Sequence, residues 1–165
     1  MNNVILIGMP GCGKSTIGVI LAKSIGFDFI DSDLLIQNRA GKKLHEIIEA
    51  KGIEEFLKLE ESVNCSISPE STVIATGGSA VYSEKAMEHF RKIGKIIYLT
   101  TPKSELERRI LNFKTRGIVI PENMSFDALY NERDPLYKEN ADFCVSTIRG
   151  NVEEIVEEII DKLKR

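Results

Sequence analysis

The sequence predicts an α/β fold, a three-layer α/β/α domain built on a five-stranded parallel sheet. Short apolar runs alternate along the chain with longer stretches whose apolar residues recur at helical spacing, the pattern of a parallel sheet covered on both faces. A glycine-rich turn joins the first apolar run to the first helical stretch. The chain has 165 residues, the length of one domain, and we expect a single domain over 1–165.

The strands are predicted from short apolar runs, because a strand buried on both faces needs no polar side. The five predicted strands are Val4–Ile7, Phe27–Ile30, Thr72–Thr76, Lys95–Leu99 and Ala141–Val145.

The helices are predicted from apolar stripes that recur every three or four residues. Gly26 and Gly94 follow two of these stripes as C-terminal signals, and Asn151 with Glu154 forms a predicted capping pair for the last helix. The predicted helices cover 15–25, 34–40, 44–50, 53–67, 83–93, 103–111, 125–138 and the C-terminal stretch from 152.

The segment 112–123 (NFKTRGIVIPEN) has no periodicity and contains a glycine and a proline. Loops of this length are uncommon in a compact domain unless they bind or cover a ligand. We therefore predict a lid over a ligand site, with an ordered surface loop as the alternative.

Composition excludes several classes of protein. With 22 basic and 25 acidic residues the net charge is −3, so no positive field favours nucleic acid. The longest apolar runs are too short for a signal peptide or for a membrane span of about 20 residues, and we expect a cytoplasmic monomer without a membrane partner. Three scattered cysteines and two distant histidines (Cys12, Cys65, Cys144, His45, His89) fit neither a disulfide framework nor a zinc site.

The glycine-rich turn at 8–15 reads G-x-x-x-x-G-K-S, and we call it the phosphate loop. Its backbone N–H groups and the following helix N-terminus suit phosphate oxygens, Lys14 reaches the β- and γ-phosphates, and Ser15 offers a hydroxyl to Mg²⁺. The predicted nucleotide-binding residues here are Gly11, Cys12, Gly13, Lys14, Ser15 and Thr16. Cys12 is interpreted as a small filler, and a glycine-rich turn without a ligand is the alternative for the loop.

Two more strand ends point to the same crevice, since ligands of open parallel sheets lie beyond the carboxyl ends of the strands. Asp31 and Asp33 follow the second strand, and we predict one carboxylate near Mg²⁺ and the other beside the attacking hydroxyl. The alternative for Asp33 is an N-cap of a helix beginning at Leu34. Gly77 and Gly78 follow the third strand, where backbone can approach a ligand closely or simply form a tight turn.

Three arginines lie near the lid segment: Arg109, Arg116 and Arg133. A guanidinium that closes over a transferring phosphoryl group stabilises the charge of the transition state, and its fork binds carboxylates. The alternative for each is a solvated surface charge.

These segments together resemble the shikimate kinase family over nearly the whole chain, and so predict a P-loop kinase with a lid. The matching segments are GMPGCGKST, FIDSD, TGGSAV (family T-G-G-G-x-V) and ERDPLYKENAD (family R-x-x-L-Y-x-E-x-A-D). The resemblance implies ATP and Mg²⁺ as cofactors and a catalytic set of Lys14, Asp33 and Arg116. It further implies Mg²⁺ at Ser15 and Asp31, adenine against Arg109, and substrate at Asp33, Gly77, Gly78 and Arg133.

The departures from the family pattern cluster on the acceptor side. Leu57 replaces the arginine of the family's F-R-x-x-E segment, and Lys58, one position on, lies about 100° round the helix. Ser79 replaces the third glycine, Gln37 replaces a glutamate, and the lid reads R-G-I-V rather than R-P-L-L.

The sequence therefore predicts an ATP-dependent kinase for a hydroxyl of a small anionic metabolite, with shikimate first. Two alternatives stay open at this point. One is a kinase for another small hydroxylated metabolite, and the other is a nucleotide-binding regulatory module without turnover.

Overall fold

A computed structural model of the chain describes residues 3–110 and 118–165 and confirms the predicted fold class. The sheet has five parallel strands, β1 Asn3–Ile7, β2 Asp28–Asp31, β3 Thr72–Ala75, β4 Lys95–Thr100 and β5 Phe143–Ser146. They pair in the order β2-β3-β1-β4-β5. All five residues of β1 are buried, because the central strand of the sheet has helices on both faces.

Seven helices connect and flank the strands in the described part of the chain, with a short 3-10 helix at Ala80–Tyr82. Their bounds are α1 Lys14–Ile25, α2 Ser32–Ala40, α3 Leu44–Ser66, α4 Glu84–Ile93, α5 Lys103–Arg109, α6 Phe126–Asn140 and α7 Val152–Leu163. Helix α1 packs on α7, and α3 packs on α4. None of the helices in 3–110 and 118–165 is long and apolar enough to cross a membrane.

The structure shifts several predicted boundaries. The fifth strand begins at Phe143, two residues later than predicted. Gly52 (φ 81°, ψ 168°) divides α3 into two helices, which confirms the two helices predicted over 44–50 and 53–67. Glycine adopts this positive φ readily, so the first helix ends there and the second begins after it. The predicted cap of α7 is confirmed, since Asn151 Oδ1 accepts a 2.9 Å hydrogen bond from Glu154 N and Glu154 Oε2 accepts one from Asn151 N.

A second hydrophobic cluster lies apart from the main core. It joins α2 and α3 to the end of the predicted lid through Ile36, Leu44, Ile47, Phe56, Val63 and Val119. The cluster fixes α3 beside the crevice at the strand ends, where the phosphate loop, Asp31 and Thr76 come together.

Candidate active site

A cavity of about 580 Å³ opens at the carboxyl ends of β1, β2 and β3. The phosphate loop forms one end of it, α2 and α3 form a wall, and residues from α5, α6 and the end of the lid segment close it. The cavity is therefore lined by residues from the separate segments that the sequence predicted to face one crevice.

The phosphate loop has the backbone that its glycines predict. Gly11 and Gly13 adopt left-handed φ values of 81° and 99°. A Cβ on Gly11 would stand 2.7 Å from Ile110 Cγ1, so the end of α5 packs directly on the loop. Lys14 is buried and its Nζ donates to the carbonyl oxygens of Gly8 (2.7 Å) and Met9 (3.0 Å). These bonds hold the ammonium group at the loop, where it lines the cavity.

Cys12 is fully buried, with its Sγ 3.7 Å from Lys14 Nζ. The thiol fills space beneath the loop, in keeping with its interpretation as a filler. Gly11, Gly13, Ser15 and Thr16 line the cavity beside Lys14.

Ser15 and Asp31 meet at the mouth of the crevice, where the Ser15 hydroxyl donates to Asp31 Oδ2 at 2.7 Å. The other oxygen of Asp31 accepts from the N–H groups of Asp33 (3.0 Å) and Leu34 (3.4 Å). Asp31 is therefore the N-cap of α2, and the alternative that Asp33 caps this helix is wrong. The reason is that α2 begins at Ser32, so its free N–H groups point back to the residue before it.

Asp33 instead lies inside the first turn of α2, and its side chain lines the cavity. Burial raises its pKa to about 6, the charge on Asp31 adds to this rise, and Lys14 opposes it. A carboxylate with this pKa is ionised at neutral pH and is more basic than an ordinary aspartate.

The glycine pair after β3, Gly77 and Gly78, leaves room for neighbouring groups to pack directly on the backbone. A Cβ on Gly77 would stand 2.5 Å from Glu60 Oε1 and 2.7 Å from Asp33 Oδ1. A Cβ on Gly78 would stand 2.8 Å from Pro10 Cδ and 3.1 Å from Arg133 Nη1. Both positions are therefore glycine because the phosphate loop and three charged side chains close on them.

Arg133 is 1% exposed, so the alternative of a solvated surface charge is wrong for this residue. Its Nη2 donates to Val119 O at 2.6 Å, its Nε donates to the Tyr82 hydroxyl at 3.1 Å, and its guanidinium lies 5.1 Å from the Tyr82 ring centroid. These contacts hold a fixed positive charge against the cavity.

The other two arginines differ from Arg133. Arg109 lines the cavity with its side chain 31% exposed, and its Nε donates to Glu105 Oε1 at 2.7 Å. Arg116 lies outside the described residues, as does the first part of the predicted lid. The described end of that segment contributes Ile118 and Val119 to the cavity.

The departures from the family pattern on α2 and α3 differ in their positions relative to the cavity. Leu57 packs against the second cluster and is not one of the residues lining the cavity. Lys58 points to solvent with its side chain 63% exposed and pairs with Glu54 and Glu55. It does not supply a cation in place of the family arginine. Gln37 lines the cavity, and its Oε1 accepts from Leu44 N at 3.3 Å.

Glu60, which the motifs did not predict as a site residue, lines the cavity and is 2% exposed. Its Oε2 accepts from the Ser79 hydroxyl at 2.7 Å, and burial raises its pKa to about 7. A signal was present in the sequence. Phe56, Glu60 and Val63 share one helical stripe, and a glutamate in a core stripe indicates a buried carboxylate.

The phosphate loop, facing a buried carboxylate at the edge of this sheet, defines a P-loop kinase, an enzyme that transfers a phosphoryl group from a nucleotide. The family model for shikimate kinase matches residues 10–164, and the chain belongs to that family.

Individual shikimate kinases are similar to the chain over nearly its full length. The chain is 36% identical to a shikimate kinase of Thermodesulfovibrio yellowstonii, covering 100% of the chain and 96% of the relative. It is 38% identical to one of Thiobacillus denitrificans, covering 98% and 90%. A shikimate kinase of Acinetobacter baumannii, solved in complex with shikimate, superposes with a TM-score of 0.89 at 31% identity, covering 99% of this chain and 93% of that one.

Proposed function

We propose that this chain transfers the γ-phosphoryl group of ATP to a hydroxyl of shikimate. The observation that carries the proposal is a single cavity that runs from the phosphate loop to Asp33 and the buried Arg133. A basic carboxylate suits the attacking hydroxyl, and a buried guanidinium suits the carboxylate of an anionic acceptor. Membership of the shikimate kinase family and the likeness to a structure solved with shikimate support this acceptor.

The roles follow from position in the cavity. Lys14 contacts the transferring phosphate, Asp33 orients the acceptor hydroxyl and accepts its proton, and Arg133 binds the acceptor carboxylate. Gly77 and Gly78 offer close backbone approach to the acceptor. At the nucleotide end, Arg109 lies against adenine, and we assign Arg116 as the lid arginine over the phosphates.

Ser15 and Asp31 fit a Mg²⁺ ion. Their oxygens lie 2.7 Å apart beside the phosphate loop, and Mg²⁺ uses few protein oxygens together with substrate phosphates and water. When bound, the ion neutralises phosphate charge. Ser15 and Asp31 would hold it at the mouth of the crevice.

Asp31→Asn is expected to raise the Mg²⁺ concentration needed for half-maximal activity by about ten- to a hundredfold, because one charged oxygen is lost. Asparagine is an N-cap as good as aspartate, so the melting temperature should stay near that of the wild type. Mg²⁺ titration of ADP release after chelator treatment measures the effect. The matched control is Asp28→Asn in the exposed start of β2; an equal Mg²⁺ requirement in the Asp31 and Asp28 variants would contradict the assignment.

Coupled ADP release with the purified protein tests the proposed function directly. We expect release to rise far above the rate without acceptor when shikimate is added, and a panel of other hydroxylated metabolites gives the comparison. ATP binding is measured in parallel. Tight ATP binding without stimulation by shikimate or any other acceptor would favour the nucleotide-binding module, and stimulation by a different acceptor alone would move the assignment to that acceptor.

Leu57→Arg is expected to lower the KM for shikimate by about tenfold, because it adds a bidentate guanidinium to the acceptor side of α3. Initial rates over a range of shikimate concentrations at saturating ATP measure the change. Lys58→Arg is the matched control, since this neighbouring side chain is exposed and pairs with Glu54 and Glu55. An unchanged or higher KM for shikimate in Leu57→Arg would argue against equating position 57 with the arginine of the family's F-R-x-x-E segment.

The sequence also predicts a monomer in the cytoplasm, and both expectations stay predictions.

A further inference from the structure

Arg133 is a buried cation, and the hydrogen-bond acceptors that the described residues offer it are neutral. Its Nε donates to the Tyr82 hydroxyl at 3.1 Å, and its Nη2 donates to Val119 O at 2.6 Å. A buried charge with neutral partners is costly, and an anionic ligand offsets this cost. The charge of Arg133 is therefore available to an anion in the cavity that this residue lines.

The hydroxyl of Tyr82 stands between this cation and a carboxylate. It accepts from Arg133 Nε and donates to Glu132 Oε1. A guanidinium has only donors, so the single phenolic proton goes to the carboxylate and a lone pair of the phenol oxygen faces Nε. Glu132 thus fixes the direction of both hydrogen bonds, and the neutral phenol separates the negative charge of Glu132 from the positive charge of Arg133.

The glycine turn after β3 brings Tyr82 to this place. The turn is followed by the 3-10 helix Ala80–Tyr82, in which Tyr82 N donates to Ser79 O at 3.0 Å. This short helix packs on α6, the helix that carries Arg133. The Tyr82 ring centroid lies 5.1 Å from the guanidinium, and Tyr82 is not among the described residues that line the cavity. Any effect of Tyr82 on a ligand is therefore exerted through Arg133.

We propose, on the basis of the proposed function, that Tyr82 is a positioning residue for recognition of the acceptor carboxylate. Its hydroxyl holds the Nε side of the Arg133 guanidinium and keeps Glu132 from pairing with it, so the positive charge is left for the acceptor. The aromatic ring adds a cation–π contact to the same guanidinium. Selection of an anionic acceptor thus depends on a residue that does not touch the acceptor.

Tyr82→Phe keeps the ring and removes only the hydroxyl. We expect the KM for shikimate to rise by about tenfold, as for loss of a hydrogen bond to a charged group. The kcat and the KM for ATP should stay near their wild-type values. Initial rates over a range of shikimate concentrations at saturating ATP measure the change. Tyr82→Leu, which also removes the ring, should raise the KM for shikimate further and repeats the test if the phenylalanine variant folds poorly.

A double-mutant cycle with Arg133 shows whether Tyr82 acts through that residue. Arg133→Met removes the guanidinium, so adding Tyr82→Phe to it should cause no further loss of kcat/KM for shikimate. This ratio is measured because it can be obtained below saturation. A loss of kcat/KM from Tyr82→Phe that is the same with and without Arg133 would show that Tyr82 has only a structural role.

The chain offers a closely matched control in Tyr98. This buried tyrosine donates to Asp134 Oδ1 at 2.8 Å, so it also joins a phenol hydroxyl to a carboxylate of α6. It is not among the described residues that line the cavity. Tyr98→Phe should lower the melting temperature and leave the KM for shikimate unchanged.

The outcomes separate this inference from the proposed function. Wild-type protein that shows no turnover of shikimate overturns both. Wild-type turnover with an unchanged KM for shikimate in Tyr82→Phe overturns the inference alone, and so does a cycle in which the substitutions of Tyr82 and Arg133 act additively.

Discussion

Asp33→Asn is expected to lower kcat with shikimate by about a thousandfold, within the usual range for loss of a positioned general base. Asparagine keeps the shape of the side chain and cannot accept the proton of the attacking hydroxyl. The KM for ATP should change little, because Asp33 lies outside the phosphate loop, which is the proposed nucleotide site. Steady-state kinetics of purified wild type and variant measure the effect, and a loss of less than tenfold would contradict the role of Asp33.

The pH profile gives an independent check on the same residue. Burial raises the pKa of Asp33 to about 6, and only the ionised form accepts a proton. The wild-type kcat/KM for shikimate should therefore be constant at pH values above this pKa and should fall as the pH drops through it. Asp33→Asn should lose that acidic limb. Because the pKa of Glu60 is raised to about 7, Glu60→Gln serves as the comparison; it should retain the limb that belongs to Asp33.

The three central strands of the sheet, β1, β3 and β4, were predictable because they are short, apolar and mostly buried. The run at 4–7 and its partners at 72–76 and 95–99 needed only periodicity and length to be recognised. The break within α3 was predictable as well. Gly52 interrupts the apolar stripe, and the structure has two helices on either side of this glycine, as predicted.

The candidate site was predictable where local geometry determines it. The phosphate loop and the acidic pair lie at strand ends, so topology alone brings them together. The alternative of a cap at Asp33 was wrong because α2 begins at Ser32, two residues before the predicted boundary, which moves the cap to Asp31. The exact first residue of a helix is the least reliable part of a prediction from sequence patterns.

Burial of charged groups was the least predictable feature. Arg133 is enclosed by Val119 O and the Tyr82 ring, and Glu60 is held by Ser79. Each partner is distant in sequence, and no local pattern records such contacts. The same contacts connect the site to its surroundings. Val119 belongs to the second cluster and also accepts from Arg133, so the end of the lid segment is tied to the acceptor side of the cavity.

Lys14→Met is expected to lower kcat by about a thousandfold, because the variant loses the charge that we propose stabilises the transferring phosphoryl group. The melting temperature of the variant should distinguish this loss of kcat from misfolding. Lys14 Nζ is buried against two loop carbonyls. Methionine, of similar length, removes the cost of burying an ammonium group but leaves Gly8 O and Met9 O without this donor. Because the two effects oppose each other, the free protein should melt near the wild-type temperature while kcat is lost.

Two further variants sharpen this test. Lys14→Arg keeps the charge, but its planar guanidinium does not reproduce a compact ammonium that donates to Gly8 O and Met9 O, so it should recover little of the lost kcat. Lys23→Met, in the last turn of the same helix and exposed, is the matched control and should keep wild-type kinetics. A Lys14→Met protein that retains kcat within tenfold of the wild type would show that phosphoryl transfer here does not depend on the loop lysine, and the phosphate loop would then serve binding alone.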